Sequence, residues 1–159
     1  MPNIIMPSKE LLATAQGRVR VLLVISEQYT SDALVFALAH TIPALLVLVH
    51  SSSEALEVTE AIKPDAFVLE AAFSDELSGV ELYERLHAQP GFTKIPAILI
   101  GTLPPELHRS IAKHQVVNLS YPVRLHELQY ALETLLNISK ARALPNTIVV
   151  FEHDSSSVA

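Results

Sequence analysis

The stretch PDAFVLEAAFSDELSG, Pro64–Gly79, decides the fold of this chain. A turn pair, Pro64-Asp65, precedes the apolar run Ala66–Leu69, and this run ends on a single carboxylate, Glu70. A polar loop then leads to Ser78-Gly79, where a helical pattern begins. Because open α/β sheets bind ligands at the carboxyl ends of their strands, the stretch predicts a buried strand and a candidate site at Glu70.

Apolar runs and helical stripes alternate on both sides of this stretch. The runs are short, leucine-rich and β-branched, which is typical of strands covered on both faces. Together with Ala66–Leu69, the predicted strands are Val19–Ile25, Ala44–Val49, Pro96–Ile100 and Val116–Leu119. Alternating with five helices, these strands predict an α/β fold, namely a flavodoxin-like doubly wound five-stranded parallel sheet of order 2-1-3-4-5 with helices on both faces.

The helical stripes carry their own start signals. Two capping boxes, Ser51-x-x-Glu54 and Ser78-x-x-Glu81, open the second and third helices, since each side chain can satisfy the other's free backbone N–H. The first helix is expected over Thr30–Thr41, and the fourth begins at Pro104-Pro105. The last helix carries a leucine stripe that begins at Leu125.

The 159 residues fit one domain with additional segments at its ends. Residues 1–17 predict an N-terminal leader, either poorly ordered or docked as a short helix, and residues 18–139 form the domain. Residues 140–159 predict a C-terminal tail with one more strand pattern at 147–151. That strand fits three interpretations: an added edge strand, a strand lent to a partner chain, or the start of a linker.

Composition excludes several classes of function. The net charge is −6 and no basic run is present, which argues against a nucleic-acid surface. The chain has no cysteine, which excludes disulfides and thiol catalysis. Its apolar runs fall far short of the roughly 20 residues that a membrane-spanning helix needs, and no secretory signal opens the chain. We therefore expect a cytoplasmic protein without a membrane partner.

The sequence gives little support for a zinc site, a catalytic triad or a phosphate-binding loop. No two of the seven histidines have the i,i+4 spacing of a helical zinc site, although His50 lies at the end of the second strand, nearest the predicted crevice. A Ser26, His50 and Glu70 triad lacks the strained Gly-x-Ser-x-Gly turn that would present a nucleophile. The segment after the first strand, ISEQYTSD, has no glycine, which excludes a phosphate-binding loop.

The order of the predicted strands and helices, and the turn and capping residues between them, resemble those of a response-regulator receiver domain of the CheY-like kind. The resemblance extends over about Arg18 to Leu136. The residues that carry the resemblance are VLLVISE at the first strand, SSSEAL before the second helix, KPDAFVLE at the third strand, the loop ending in Ser78–Leu82, IPAILIGT at the fourth strand and LSYPVRLHEL after the fifth.

The resemblance implies a phosphorylation site that this chain lacks in its usual form. Receivers have an acceptor aspartate, an acidic pair that holds Mg²⁺, a hydroxyl residue and a lysine that precedes a proline. The corresponding residues here are Glu70 at the acceptor position, Ile25 and Ser26 followed by Glu27 at the acidic pair, Gly101 followed by Thr102 at the hydroxyl position, and Tyr121 before Pro122, for which the resemblance suggests a cis bond.

Each departure has a chemical consequence. Glu70 carries its carboxylate roughly 1.5 Å further from the backbone than an aspartate would, Ile25 removes an ion ligand, and Tyr121 has no positive charge at neutral pH. The resemblance therefore predicts a degenerate, atypical pseudo-receiver. We expect no phosphorylation of Glu70, no metal site, no Mg²⁺ or other cofactor, and no enzymatic activity.

Three functional hypotheses follow. The first is a signalling module that acts through protein partners (a kinase or an output protein) and forms a homodimer through its fourth helix, fifth strand and fifth helix. In it, Glu70 is either a relic or a partial mimic of a phosphorylated acceptor. The second is an active phosphoacceptor in a phosphorelay, using Glu70 or Asp75 with a rearranged site. The third is a small-ligand binding domain.

Overall fold

A seven-stranded, all-parallel sheet forms the centre of the molecule. The computed structural model describes residues 3–6, 19–25, 38, 41–42, 44–71, 77–105, 115–120, 123–136 and 147–151. The strands are β1 (Asn3–Met6), β2 (Arg20–Val24), β3 (Leu45–Val49), β4 (Ala66–Glu70), β5 (Ala97–Ile100), β6 (Val116–Leu119) and β7 (Thr147–Phe151). They are arranged in the order β1-β7-β3-β2-β4-β5-β6.

The five strands from β2 to β6 confirm the predicted fold class. Counted from β2, their order in the sheet is 2-1-3-4-5, the flavodoxin-like arrangement. The residues of β3, β4 and β5 are all buried, as are those of β2 after its first residue. Strands enclosed on both faces must be apolar throughout, and for this reason their sequences read as unbroken hydrophobic runs.

Helices cover both faces of this sheet, as the alternation of patterns predicted. The described helices are α1 (Ser52–Ala61), α2 (Gly79–His87) and α3 (Leu125–Leu136). The side chains of α1 and α2 belong to one apolar core, and those of α3 pack on the opposite face together with Leu38 and Ile42. No helix in the described part of the chain is long and apolar enough to cross a membrane. Of the helix predicted to begin at Pro104-Pro105, only these first two residues are described, and most of the helix predicted over Thr30–Thr41 lies outside the described residues.

The two predicted capping boxes form to different extents. At α2 the box is complete, because Ser78 Oγ accepts from the Glu81 N–H at 3.1 Å and Glu81 Oε1 accepts from the Ser78 N–H at 2.9 Å. At α1, Ser51 Oγ accepts from the Glu54 N–H, but Glu54 Oε1 accepts from the backbone N–H of His50, one residue earlier than the box requires. The carboxylate therefore joins the end of β3 to the first turn of α1.

The strand pattern near the C-terminus lies within the sheet. β7 pairs in parallel with β3 on one side and with β1 on the other, so that β1 is the outermost strand. No strand was predicted within the segment 1–17, since a four-residue run such as Asn3–Met6 carries too little periodicity to be recognised. Residues 7–18 lie outside the described residues. Both ends of the chain thus add to the same edge of the five-stranded sheet.

The position of β7 predicts that β1 depends on it. Deleting residues 141–159 should leave β1 without its ladder partner, because a lone four-residue strand is not stable in water. We expect the ladder amides of Asn3–Met6 to exchange about tenfold faster or more in hydrogen-exchange measurements. A control chain lacking only residues 152–159 retains β7 and should keep the protection of the intact protein. Protected Ile4 and Ile5 amides in the longer deletion would contradict this assignment.

Candidate functional site

Glu70 lies at the carboxyl end of β4, in the middle of the sheet. Its neighbour in register on β5 is Ile100, and the pairing of Val24 with Leu69 places Ile25 next to it on the β2 side. Side chains on adjacent strands at matching register leave the same face of a sheet. The carboxylate is therefore flanked by two isoleucines, and both are buried.

The burial of Glu70 was not predicted. Only 3% of the residue is exposed, and it is one of three polar residues among the buried side chains of the described chain. The sequence pattern predicted a carboxylate that points into an open crevice. Glu70 lies at the end of β4, as predicted, but its side chain is buried. Neighbours such as Ile25 and Ile100 supply apolar surface where an acceptor carboxylate needs access to water and to its phosphoryl donor.

The described residues do not fit a magnesium site. Mg²⁺ prefers carboxylate oxygens and water in a near-octahedral arrangement, whereas Ile25 offers only hydrocarbon beside Glu70. Among the described residues, no group of three acidic or histidine side chains is arranged to hold a metal ion. Ser26 and Glu27, the other candidates of the first loop, lie outside these residues. No step of chemistry is therefore assigned to a metal.

The side chain of His50 joins the end of β3 to the end of β2, close to Glu70. Its Nδ1 lies 2.8 Å from the backbone oxygen of Ile25, and because a carbonyl can only accept, Nδ1 carries the hydrogen. The Ile25 N–H in turn donates to Val49 O at 3.2 Å. The histidine predicted to lie nearest the crevice is thus at the expected strand end, where it makes a structural contact to the main chain.

The carboxyl end of β5 has a conformation that requires glycine. Gly101 has a φ of +115°, which side-chain-bearing residues rarely adopt. Its N–H donates to Leu119 O at 2.8 Å, and the N–H of Ala71 donates to Ile100 O at the same distance. The hydroxyl position of the receiver pattern is therefore a backbone junction between β4, β5 and β6. Thr102, the next hydroxyl, is exposed.

Gly79 marks a close backbone approach that sequence reasoning missed as a structural requirement. A Cβ atom at this position would overlap the backbone carbonyl oxygen of Glu70. The first turn of α2 therefore packs directly against the last residue of β4. The signal was present in the Ser78-Gly79 pair, since glycine at the start of a helix is unfavourable unless the backbone must come close to a neighbour.

The buried face of α2 carries an unusual hydroxyl. Tyr83 is buried, and in the described part of the chain its hydroxyl group has no hydrogen-bond partner. Burial raises the pKa of this phenol above its ordinary value, and the negative charge of Glu84 raises it further. The hydroxyl therefore stays neutral at physiological pH. Its ring packs on that of His87, with centroids 4.2 Å apart.

Several predicted site residues are not placed. Ser26, Glu27, Asp75, Tyr121 and Pro122 all lie outside the described residues. The described site therefore consists of the three strand ends at Ile25, Glu70 and Gly101, together with the first turn of α2. Asn118, on β6, is an additional polar residue at this end of the sheet. It is the single polar residue in the run VVNL, and that was the only signal available for it.

Comparisons with known structures agree with this architecture. The receiver domain of a signal transduction histidine kinase from Syntrophus aciditrophicus matches 80% of this chain and 97% of its own, with 20% identity and a TM-score of 0.61. A CheY-like receiver domain from Methanospirillum hungatei matches 76% of this chain and 95% of its own, with 15% identity and a TM-score of 0.62.

A third similar structure was solved with a bound metal ion. It is the receiver domain of a sensor histidine kinase from Pseudomonas aeruginosa with magnesium coordinated in its active-site cleft, at 20% identity and a TM-score of 0.59. No protein-family model and no curated protein sequence matches this chain. At these identities the structural likeness establishes the fold: the chain has the CheY-like flavodoxin fold that receiver domains share.

The contact at Gly79 predicts a large effect of a small substitution. Gly79→Ala should lower the free energy of unfolding by about 2–3 kcal/mol, as overpacking does in close-packed interiors. In the control Gly91→Ala, the new Cβ meets nothing within 4 Å but the backbone φ is +86°, so we expect a loss of about 1 kcal/mol from conformational strain alone. Urea unfolding measures both. A Gly79→Ala protein as stable as the Gly91→Ala protein would contradict the close approach.

Proposed function

We propose that this protein is an atypical receiver-like signalling module that acts through protein–protein contacts without phosphorylation of Glu70. The observation that carries the proposal is the enclosure of Glu70, which is 3% exposed and lies between Ile25 and Ile100 in the sheet. The proposal also rests on the fold that this chain shares with receiver domains of signalling proteins. It includes no enzymatic activity and no cofactor.

The chemistry of phosphoryl transfer supports this proposal. Transfer to a carboxylate needs an in-line approach of the donor and compensation for the charge that develops on the phosphoryl oxygens. Glu70 is buried and lies between Ile25 and Ile100 in the sheet, and Gly101 supplies no hydroxyl at the end of β5. Ile25 removes a ligand that would hold the compensating cation. Three requirements of the reaction are thus unmet by described residues.

Treatment with acetyl phosphate and Mg²⁺ tests the absence of phosphorylation. We expect the intact mass of the protein to remain unchanged, because the enclosed Glu70 side chain offers no accessible nucleophile. A conventional receiver domain in the same incubation is the positive control. A stable gain of one phosphoryl group would overturn the proposal in favour of an active acceptor, and loss of that gain in Glu70→Gln would assign it to Glu70 instead of Asp75. A small molecule that remains bound in native mass spectra would instead favour a ligand-binding domain.

We propose the surface formed by β6 and α3 as the partner face. The only large apolar side chain exposed in the described residues is Tyr130 on α3, which is 71% exposed. Half-buried apolar residues of β6, of α3 and of the segment before α3 pack on the same core cluster as α3: Val117, Leu119, Val123, Leu125, Leu135 and Leu136. Exposed aromatic residues beside apolar surface are typical of binding hot spots. The fourth helix, which the sequence prediction added to this face, lies outside the described residues.

Self-association through this face predicts a specific effect of Tyr130→Ala. We expect the dissociation constant of the homodimer, measured by sedimentation velocity, to rise about tenfold, as for loss of an aromatic anchor. Glu60→Ala changes an exposed residue of α1, on the opposite face of the sheet, and should leave association unaffected. A monomeric intact protein, or equal effects of the two substitutions, would exclude this face as the dimer interface.

Glu70→Gln in the same measurement separates the two interpretations of the carboxylate. Glutamine keeps the size of the side chain and removes its charge. A relic predicts unchanged association, whereas a partial mimic of a phosphorylated acceptor predicts weaker association. We favour the relic, because an enclosed side chain at the end of β4 cannot make a direct contact with a partner.

A further inference from the structure

The side chain of Asn118 makes an unusual pair of contacts at the carboxyl end of the sheet. Asn118 lies on β6, opposite Leu99 of β5. Its amide nitrogen Nδ2 donates to the backbone oxygen of Leu99 at 2.9 Å and to that of Gly101 at 2.8 Å. Both hydrogens of one amide group are therefore used on two carbonyls of the neighbouring strand.

These contacts meet at Gly101, directly after β5, where the backbone has a positive φ. Gly101 has its N–H bound to Leu119 O and its carbonyl oxygen bound to the Asn118 amide, so that both of its polar backbone groups are held by β6. With a φ of +115°, Gly101 is in a region where glycine has many alternative conformations. A residue with such freedom keeps one conformation only if its surroundings fix it.

The same strand end is joined to the site on its other side. The N–H of Ala71, directly after Glu70, donates to Ile100 O at 2.8 Å. The carbonyls of Leu99 and Gly101 are therefore bound by Asn118 of β6, and the carbonyl of Ile100 between them is bound by the N–H of Ala71, directly after β4. Displacement of Gly101 would strain the contact that holds the end of β4.

We infer that Asn118 is a positioning residue, which holds the ends of β4 and β5 in one conformation through its two bonds to Leu99 and Gly101. The inference adds to the proposed function: a module that is not phosphorylated keeps this end of the sheet fixed by an internal contact, with no chemical change at Glu70. The amide reaches from the edge strand β6, which belongs to the proposed partner face. Asn118 thus links that face to the site by two hydrogen bonds.

Native-state hydrogen exchange at Gly101 and Ala71 tests this inference. Asn118→Asp keeps the size of the side chain but replaces the donor amide with a carboxylate, and Asn118→Ala removes the group. We expect the Gly101 amide to exchange about tenfold faster or more in both variants, and the Ala71 amide to follow in the same direction. The amides of Leu22 and Val47, in the central strands, should stay within about twofold of the intact protein if the opening is local.

The matched control is Gln129→Glu, which makes the same change of charge on α3, where the Gln129 amide bonds only to Glu133 among the described contacts. It should leave the exchange of Gly101 unchanged. Gly101 rates within about twofold of the intact protein in Asn118→Ala would overturn the inference. So would equal acceleration at Gly101, Leu22 and Val47, which would indicate general destabilisation. Neither result depends on phosphorylation, so failure here is distinct from failure of the acetyl phosphate test.

Discussion

The constraint on which this structure depends is that a parallel sheet must be covered on both faces. The interiors of β2 to β5 contain only apolar side chains, and α1 and α2 on one face and α3 on the other enclose them. Polar groups can then occur only where the strands end. The carboxyl ends of β2, β4 and β5 are consequently the one part of the central sheet where a receiver places its chemistry.

In this chain the same ends are used for packing and main-chain contacts. Ile100, the last residue of β5, and Ile25, directly after β2, extend the apolar core to the strand ends, and Glu70 is enclosed between them. Gly101 contributes only its backbone, which joins three strands. Gly79 lets α2 touch the end of β4. These contacts enclose the strand ends and join them through main-chain hydrogen bonds.

The sequence allowed the central architecture to be predicted because the signals were local and repeated. Each buried strand is an apolar run, and the Ser78 box fixed the start of α2 to the residue. The sequence did not predict the place of β7 or the existence of β1, and the reasons differ. β7 was recognised as a strand, but its place between β1 and β3 depends on pairing with residues more than 100 positions away in the chain, which no local pattern encodes. β1 is too short to show a period.

The strand that ends at Glu70 was predicted from the sequence, but the burial of its side chain was not. The pattern places Glu70 at the end of a strand, and the sequence shows that the usual partners are replaced. Exposure, however, depends on how neighbouring strand ends meet, and only the register of β2 and β5 brings Ile25 and Ile100 to the two sides of Glu70. The contacts of Asn118 likewise depend on a register of β6 against β5 that the run VVNL does not specify.

The enclosure of Glu70 and the contacts of Asn118 bear on the same question, namely whether this end of the sheet can act as a chemical switch. A receiver that is switched by a chemical event needs an accessible acceptor and strand ends that can change conformation when the acceptor is modified. Here the acceptor position is buried, and the adjacent strand end is bonded on both sides, by Ala71 and by Asn118. In the function proposed above, these two features oppose switching, one by excluding the reagent and one by holding the responding element. Replacing Glu70 with aspartate would change neither feature, because the flanking isoleucines and the Asn118 amide would remain.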